Sequence, residues 1–244
     1  MSTALPRPQA PRIGTLRLPV LVNIGVGFGL IEVALWCPKH IQLWVSLTAA
    51  TWIIGSTALS GRSADELGLG RRGLRESAWV AAAALTLAAL IVVISWLFGW
   101  LHPLFGPVPS LTHALAYAVW AFQQEFILQS FLFLGLSRVT TPRRAVMIAA
   151  ALFSFAHLPN PILVAATLFS GLALTAAFAR YGNVYPLAIA HAALGLAVAV
   201  SVPADLHRNM RVGIGYLKYK PAQTFQLAPS SAPSAIQAIS PTQR

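Results

Sequence analysis

Apolar stretches recur along the chain, separated by short polar, glycine-rich or proline-rich breaks. A helix needs about 20 apolar residues to cross a ~30 Å hydrocarbon layer, and several of these stretches reach that length. They lie at about residues 18–36, 41–59, 78–101, 111–136, 145–158, 161–178 and 183–202. The pattern predicts an all-α fold, a polytopic transmembrane helix bundle of about seven helices, or eight.

The remaining segments frame this bundle. Residues 1–17 form a basic N-terminal segment, and residues 18–202 form the predicted transmembrane bundle. Within it, residues 61–77 are charged and amphipathic, which predicts a stretch lying at the membrane surface. Residues 203–244 are predicted to be a polar, disordered tail, because after about residue 222 the chain is rich in Ala, Pro, Ser and Gln without an apolar period.

Composition supports a membrane protein, since 57% of the residues are hydrophobic and only 9% are charged. Soluble domains carry about 25% charged residues. The formal net charge of +11 could indicate a nucleic-acid binder, but such a protein gathers its basic residues on one face. Here they flank the apolar stretches, as in Arg7, Arg12 and Arg17, in Arg62, Arg71, Arg72 and Arg75, and in Arg138, Arg143 and Arg144.

This charge pattern follows the positive-inside rule. It predicts a multi-pass protein of the bacterial inner membrane with a cytoplasmic N-terminus, in contact with the lipid bilayer and not with nucleic acid. Seven crossings would put the tail outside, although it carries Arg208, Arg211, Lys218 and Lys220, so the rule fails there or one segment is re-entrant. With Cys37 alone, the chain has no internal disulfide.

Few ionisable residues lie inside the apolar stretches, where each costs about 2.5–3.5 kcal/mol on insertion. Glu32 and Glu125 are the acidic ones, and His157 and His191 lie within or at the end of a stretch. Each could be a hydrogen-bonded core residue, and Glu125 could be protonated within a glutamine-rich helix contact. One carboxylate and two imidazoles on three helices favour a site that binds a divalent metal such as zinc or positions a water.

Three motifs surround these residues: Gln124-Glu125-Phe-Ile-Leu-Gln129, Phe153-Ser-Phe-Ala-His157 and His191-Ala-Ala-Leu-Gly195. In this order they resemble the CPBP intramembrane proteases, which include the type 2 CAAX prenyl endopeptidases. That family has Glu-Glu-x-x-x-Arg, Phe-x-x-x-His and His-x-x-x-Asn or Asp. The likeness covers a core of about residues 61–202. It departs from the pattern at Gln124, Gln129 and Gly195.

The resemblance implies an intramembrane endopeptidase that hydrolyses a peptide bond of a protein or peptide substrate at the membrane. Glu125, with His157, would deprotonate a water, and His191 would stabilise the oxyanion. Gln124 and Gln129 would orient the carboxylate or the substrate backbone. If a metal takes part, Glu125, His157 and His191 would be its ligands.

Two other functions remain open at this point. The departures at Gln124, Gln129 and Gly195 favour a catalytically inert member of the fold, acting as an immunity factor or a partner-binding scaffold. Alternatively, His157 and His191 could be axial haem ligands, or Glu125 could belong to a proton path in a transport protein. Haem would give a Soret band, and a transporter would more often show inverted repeats, which the sequence does not display.

Overall fold

The computed structural model describes residues 13–101 and 111–220, with side chains from residue 18 onward. Over these residues the chain is helical and has no strand, which confirms the predicted all-α fold. Its seven longer helices are α1 (Ile13–Trp36), α2 (Lys39–Ala58), α3 (Leu74–Leu97), α4 (Leu111–Glu125), α5 (Pro142–Phe155), α6 (Pro161–Tyr181) and α7 (Tyr185–Ser201). Three of them are long and apolar enough to cross a membrane, over Leu18–Trp36, Leu74–Leu97 and Pro161–Tyr181.

Helix α4 continues without a break as a π-helix (Phe126–Phe133) and a last α-helical turn (Leu134–Leu136). Six consecutive residues of the π-helix, 128–133, are buried. A helix buried on all sides lies inside a bundle rather than at its surface. This segment is therefore the centre of the core, and π-helical turns of this kind are frequent at functional sites.

The other helices pack around this centre as hairpins and pairs. Helix α1 packs against α2, α5 against α6, and α7 against both α3 and α4. The α3 face that is buried carries small residues, Ala81, Ala84 and Ala88, at helical spacing. Small side chains let two helices approach closely, which is how apolar helices associate where the hydrophobic effect is weak.

Local sequence explains where α5 and α6 begin. Thr141 and Asn160 are their N-caps, each accepting a hydrogen bond from a backbone N–H three residues on, and each is followed by a proline. Ser, Thr, Asn and Asp caps followed by proline at the first helical position are favoured helix starts. Because α6 must begin at Pro161, the short connection that carries His157 is fixed at both ends.

Residues 59–73 are held against the core by hydrogen bonds. Ser130 donates to the Leu67 carbonyl at 2.7 Å, and the Val184 N–H donates to the Gly68 carbonyl at 2.9 Å. Asn183 is fully buried and its amide donates to the carbonyls of Gly70 and Arg72, at 3.0 and 2.9 Å. The charged stretch thus docks on the core by backbone carbonyls that a hydropathy pattern does not reveal.

These connections define two ends of the bundle. The basic end consists of residues 59–73, 137–141 and 182–184, and the tail end of residues 37–38, 156–160 and 202–220. Arg62 donates to the Leu134 carbonyl at 2.8 Å at the basic end, and the Gly213 N–H donates to the Leu158 carbonyl at 2.7 Å at the tail end. The cationic residues 208–220 therefore lie opposite the arginine-rich loops, as seven alternating helices require.

The predicted disordered tail starts too early at residue 203. Residues 204–217 form a short helix α8 (Ala204–His207), a 3₁₀ turn (Arg208–Met210) and a helix α9 (Gly213–Leu217). Arg208 links the two short helices, since it donates to the Tyr216 carbonyl at 2.9 Å and lies over the Tyr216 ring. Residues 221–244 of the predicted tail, and residues 1–12 of the predicted basic segment, lie outside the described residues.

We expect Asn183→Ala to destabilise the fold, because it removes a fully buried amide whose two hydrogen bonds hold Gly70 and Arg72 to the core. Each lost hydrogen bond contributes about 0.5–1.5 kcal/mol, and the loss of both corresponds to a drop of at least about 2 °C in Tm for a chain of this size. The measurement is thermal unfolding of the purified protein in detergent. The matched control is Tyr185→Phe, which removes one exposed hydrogen bond to the Leu69 carbonyl. Equal Tm values for the two variants would contradict the assignment.

Candidate active site

A cavity of about 490 Å³ separates the α1–α2 hairpin from the rest of the bundle. Its α1–α2 wall is mostly apolar, with Phe28, Ile31 and Ile53. The opposite wall comes from α4, the α5–α6 connection, α6 and α7. That wall carries polar groups, among them Tyr117, Gln123, Gln124, His157, Thr167 and His191.

Glu125 lies behind this wall rather than on it. Its side chain is fully buried, and both carboxylate oxygens have partners. His191 Nδ1 is 2.9 Å from Oε1, and the Gln129 amide donates to Oε2 at 2.9 Å. The structure therefore brings Glu125 and His191 together across α4 and α7, with Gln129 holding the carboxylate from one helical turn further along.

His157 approaches the same cavity from the turn after α5. Its Nδ1 is 2.7 Å from the Phe153 carbonyl oxygen. The Phe153 ring stands edge-on to both imidazoles, with centroid separations of 4.9 Å to His157 and 5.8 Å to His191. Phe153 thus packs between the two histidines and orients both, which gives its place in the Phe-x-x-x-His motif a structural reason.

The hydrogen bonds of the two histidines fix their tautomers. A carbonyl oxygen can only accept, so the proton of neutral His157 sits on Nδ1. A carboxylate oxygen likewise accepts, so His191 donates from Nδ1 to Glu125. Nε2 is then the unprotonated nitrogen of neutral His157, and also of His191 in its neutral form, and neither Nε2 has a protein partner within residues 13–101 and 111–220. The site offers two proton acceptors on residues that line one cavity.

This arrangement differs from the roles expected of the three residues. Glu125 was expected to deprotonate a water directly, but it does not reach the cavity and its oxygens are occupied. His191 was expected to stabilise the oxyanion; its Nδ1 contacts Glu125, and its ring lines the cavity. Of the two glutamines, Gln124 lines the cavity and Gln129 contacts the carboxylate.

The geometry does not fit a metal held by Glu125, His157 and His191. Among the described residues no three or more His, Cys, Asp or Glu side chains come close enough to share an ion. Both oxygens of Glu125 already have partners, His191 and Gln129, so the carboxylate is not available as a ligand. No step below is therefore derived through a metal.

Tyr117 is a polar residue of the site that sequence reasoning missed. It lines the cavity from α4, and its hydroxyl occupies the space beside Gly195, where a Cβ would overlap it. Gly195 lies one helical turn after His191 on α7, and Tyr117 and His191 line the same cavity. The only sequence signal was the absence of a side chain at position 195, which leaves room for a group from another helix.

Residues 106–197 match the family model described as type II CAAX prenyl endopeptidase Rce1-like. Over these residues, referred to below as the Rce1-like domain, the chain is similar to that family. The match includes Glu125, His157, His191 and Gly195 and confirms the resemblance predicted from the motifs. No curated protein and no solved structure matches the chain. Together with the three long apolar helices, the family establishes a membrane protein.

Asn160, also inside the Rce1-like domain, is a second residue that the sequence did not single out. It is fully buried beside His157, and its amide donates to the carbonyls of His207 and Arg211, at 2.7 and 3.0 Å. Its side-chain oxygen accepts from the Leu163 N–H at 3.2 Å. It thereby holds residues 204–217 against the connection between α5 and α6. Met210 and Val212, in the segment held in this way, line the cavity.

Asn160→Ala is expected to release residues 204–217 from the Rce1-like domain, because both carbonyls lose their buried donor. Loss of two such bonds should make local opening of this segment at least about tenfold more frequent. Limited trypsin digestion followed by mass spectrometry should show faster cleavage after Arg208 and Arg211. The control is Thr141→Ala, which removes the matching N-cap of α5 and leaves the tail end intact. Unchanged cleavage after Arg208 and Arg211 in Asn160→Ala would refute this role.

Proposed function

We propose that this chain is an endopeptidase that hydrolyses a peptide bond at the membrane with His191 as the general base. The observation that carries the proposal is the hydrogen bond between His191 Nδ1 and the buried Glu125 carboxylate. A carboxylate on one imidazole nitrogen fixes the ring and stabilises the imidazolium that forms when the other nitrogen takes a proton. Glu125 is in this scheme a positioning residue, and Gln129 fixes the carboxylate in turn.

The two unprotonated Nε2 atoms suit a water molecule, which has two hydrogens to donate. If the water donates one hydrogen bond to His191 and one to His157, the lone pairs of its oxygen stay free to attack a substrate carbonyl. General base catalysis of this kind contributes about 10²–10⁴-fold to the rate. The apolar α1–α2 wall excludes bulk water, which strengthens these polar interactions.

The reaction balances with the residues present. His191 Nε2 takes a proton from the water, and the oxygen bonds to the carbonyl carbon while the C=O electron pair moves to oxygen. The Tyr117 hydroxyl donates a hydrogen bond to that oxyanion. The C–N bond then breaks as the proton on His191 passes to the leaving nitrogen. The products are a carboxyl group and an amine, and both histidines return to their starting state.

The substrate we propose is a membrane-associated protein or peptide. The family name points to prenylated CAAX peptides, and the mostly apolar cavity is compatible with an apolar chain. By the positive-inside rule we place the basic end on the cytoplasmic side of a bacterial inner membrane. The cavity, lined partly by Gln42 and Met210, then extends from mid-bundle toward the opposite side.

A second candidate is a catalytically inert Rce1-like protein that binds a partner. The specific observation in its favour is that Glu125 is sealed behind His191 with both oxygens occupied, so the lone carboxylate of the site cannot activate water directly. In that function the cavity would hold an apolar segment of the partner, and the two histidines would be hydrogen-bond acceptors for it.

Cleavage by the protein in proteoliposomes tests the proposal. The probes are a prenylated CAAX-type peptide, the same peptide without the prenyl group and an apolar transmembrane peptide, with ¹⁸O-water to label each new carboxyl group. We expect wild-type cleavage of at least one probe, and a loss of at least about 100-fold in His191→Ala, because the general base is gone. For Glu125→Gln we expect kcat to fall with little change in KM.

The matched control is His40→Ala, which alters an exposed histidine at the start of α2 and should retain the wild-type rate. An unchanged cleavage rate in His191→Ala or Glu125→Ala would contradict the mechanism. Absence of cleavage of all three probes by the wild-type protein would favour the inert binder instead.

For Tyr117→Phe we expect a loss of about 100-fold in kcat, because the oxyanion loses its donor. Trp120→Phe, one turn further along α4 on the same cavity, is the control and should stay near the wild-type rate. Gly195→Asn should also be slow, since its side chain overlaps Tyr117. The double variant Tyr117→Ala/Gly195→Asn should recover part of the activity by placing an amide donor in the vacated space. A wild-type rate in Tyr117→Phe would exclude the phenol as donor.

A further inference from the structure

A second, much smaller cavity of about 50 Å³ lies at the basic end, remote from the histidines. It sits where residues 20–24 of α1, the end of α2 and the end of the α4 π-helix meet. Its polar lining includes Arg62 and Arg138 together with hydroxyl groups at the end of α2, those of Ser56, Thr57 and Ser60. None of these residues has a role in the proposed reaction.

The two arginines bring positive charge to this cavity without a matching carboxylate. The chain has six acidic residues, and all of them fall within the described ranges. Within those ranges neither Arg62 nor Arg138 forms an ion pair. Glu66 is near Arg62, but its carboxylate accepts from the Ser63 N–H at 2.7 Å. Burial, and then the charge of Arg138, lower the pKa of the half-buried Arg62 guanidinium.

Two hydroxyl groups in the same cavity lack partners. Thr57 Oγ1 and Ser60 Oγ are buried, and no protein group in the described residues hydrogen-bonds to either. Thr57 as a whole is 5% exposed, so its hydroxyl is not satisfied by bulk water. A buried hydroxyl without a partner is uncommon in folded proteins and indicates a missing ligand or water.

We propose that this cavity binds a phosphate group. A guanidinium offers planar paired donors that match phosphate oxygens, and hydroxyl groups donate to the remaining oxygens. The volume has room for about three to five water molecules, which suits one tetrahedral oxyanion and not a whole lipid headgroup. Because the cavity lies at the helix ends of a membrane protein, the phosphate of a phospholipid and a free phosphate ion are both chemically suitable sources.

Such a ligand would link two parts of the fold that otherwise meet through few polar contacts. Ser56, Thr57 and Ser60 belong to the α1–α2 hairpin, whereas Arg138 follows α4. A phosphate between them would fasten the hairpin, which is also one wall of the larger cavity, to the core. Its binding should therefore raise the thermal stability of the whole protein.

Binding titrations on the purified full-length protein in an uncharged maltoside detergent test this site. The probes are inorganic phosphate and short-chain phosphatidylglycerol, with diacylglycerol of the same chain length as the phosphate-free lipid. Affinity is measured by calorimetry and by the rise in Tm. We expect Arg138→Gln and Thr57→Val to bind at least about tenfold more weakly than wild type, because each removes a donor and leaves the backbone contacts intact.

The matched control is Arg143→Gln, which neutralises an exposed arginine at the same end outside the cavity and should bind as the wild type does. Binding of both probes identifies the phosphate group itself as sufficient. Binding of phosphatidylglycerol alone identifies a lipid, and binding of inorganic phosphate alone identifies a free anion. Three results would overturn the proposal: no binding of either probe, equal binding of diacylglycerol, or unchanged affinity in both cavity variants.

Discussion

The hydrogen bonds that satisfy the buried Glu125 carboxylate are the constraint on which the rest of the structure depends. An acidic group without water is stable only if its oxygens find donors. One donor, Gln129, lies on its own helix, but the other, His191, lies on α7. Helix α7 must therefore hold one register against α4, and two features secure it: the small-residue contact with α3 and the start of α7 beside Asn183.

This constraint also decides what the site can do chemically. Because Glu125 accepts from His191 Nδ1, the imidazole turns its unprotonated nitrogen away from the carboxylate. The Phe153 carbonyl has the same effect on His157, and the Phe153 ring separates the two histidines. The Glu125 carboxylate thus stays behind the cavity wall, and the Nε2 atoms of the neutral histidines face the cavity as acceptors. In the proposed reaction, the buried acid orients an imidazole instead of reacting itself.

Sequence patterns predicted the helices well and the site only in part. The seven longer helices coincide with apolar stretches of the sequence, and Glu125, His157 and His191 stood out because ionisable groups are rare in such stretches. Their roles did not follow, since spacing along a helix does not show which face meets a cavity and which meets another helix. Tyr117, Asn160 and Asn183 escaped notice because neutral polar residues near helix ends are common, and their importance lies in contacts with distant carbonyls or glycines.

The departures at Gln124 and Gln129 make physical sense together. The family pattern has two acids and an arginine on this helix, whereas this chain has Glu125 alone. Gln129 is fully buried against that carboxylate. Gln129 donates to that carboxylate without adding a second buried ion, whose desolvation would be costly. Replacing one acid and the arginine by two glutamines removes opposite charges in equal number. What remains is the hydrogen bond that orients Glu125 toward His191.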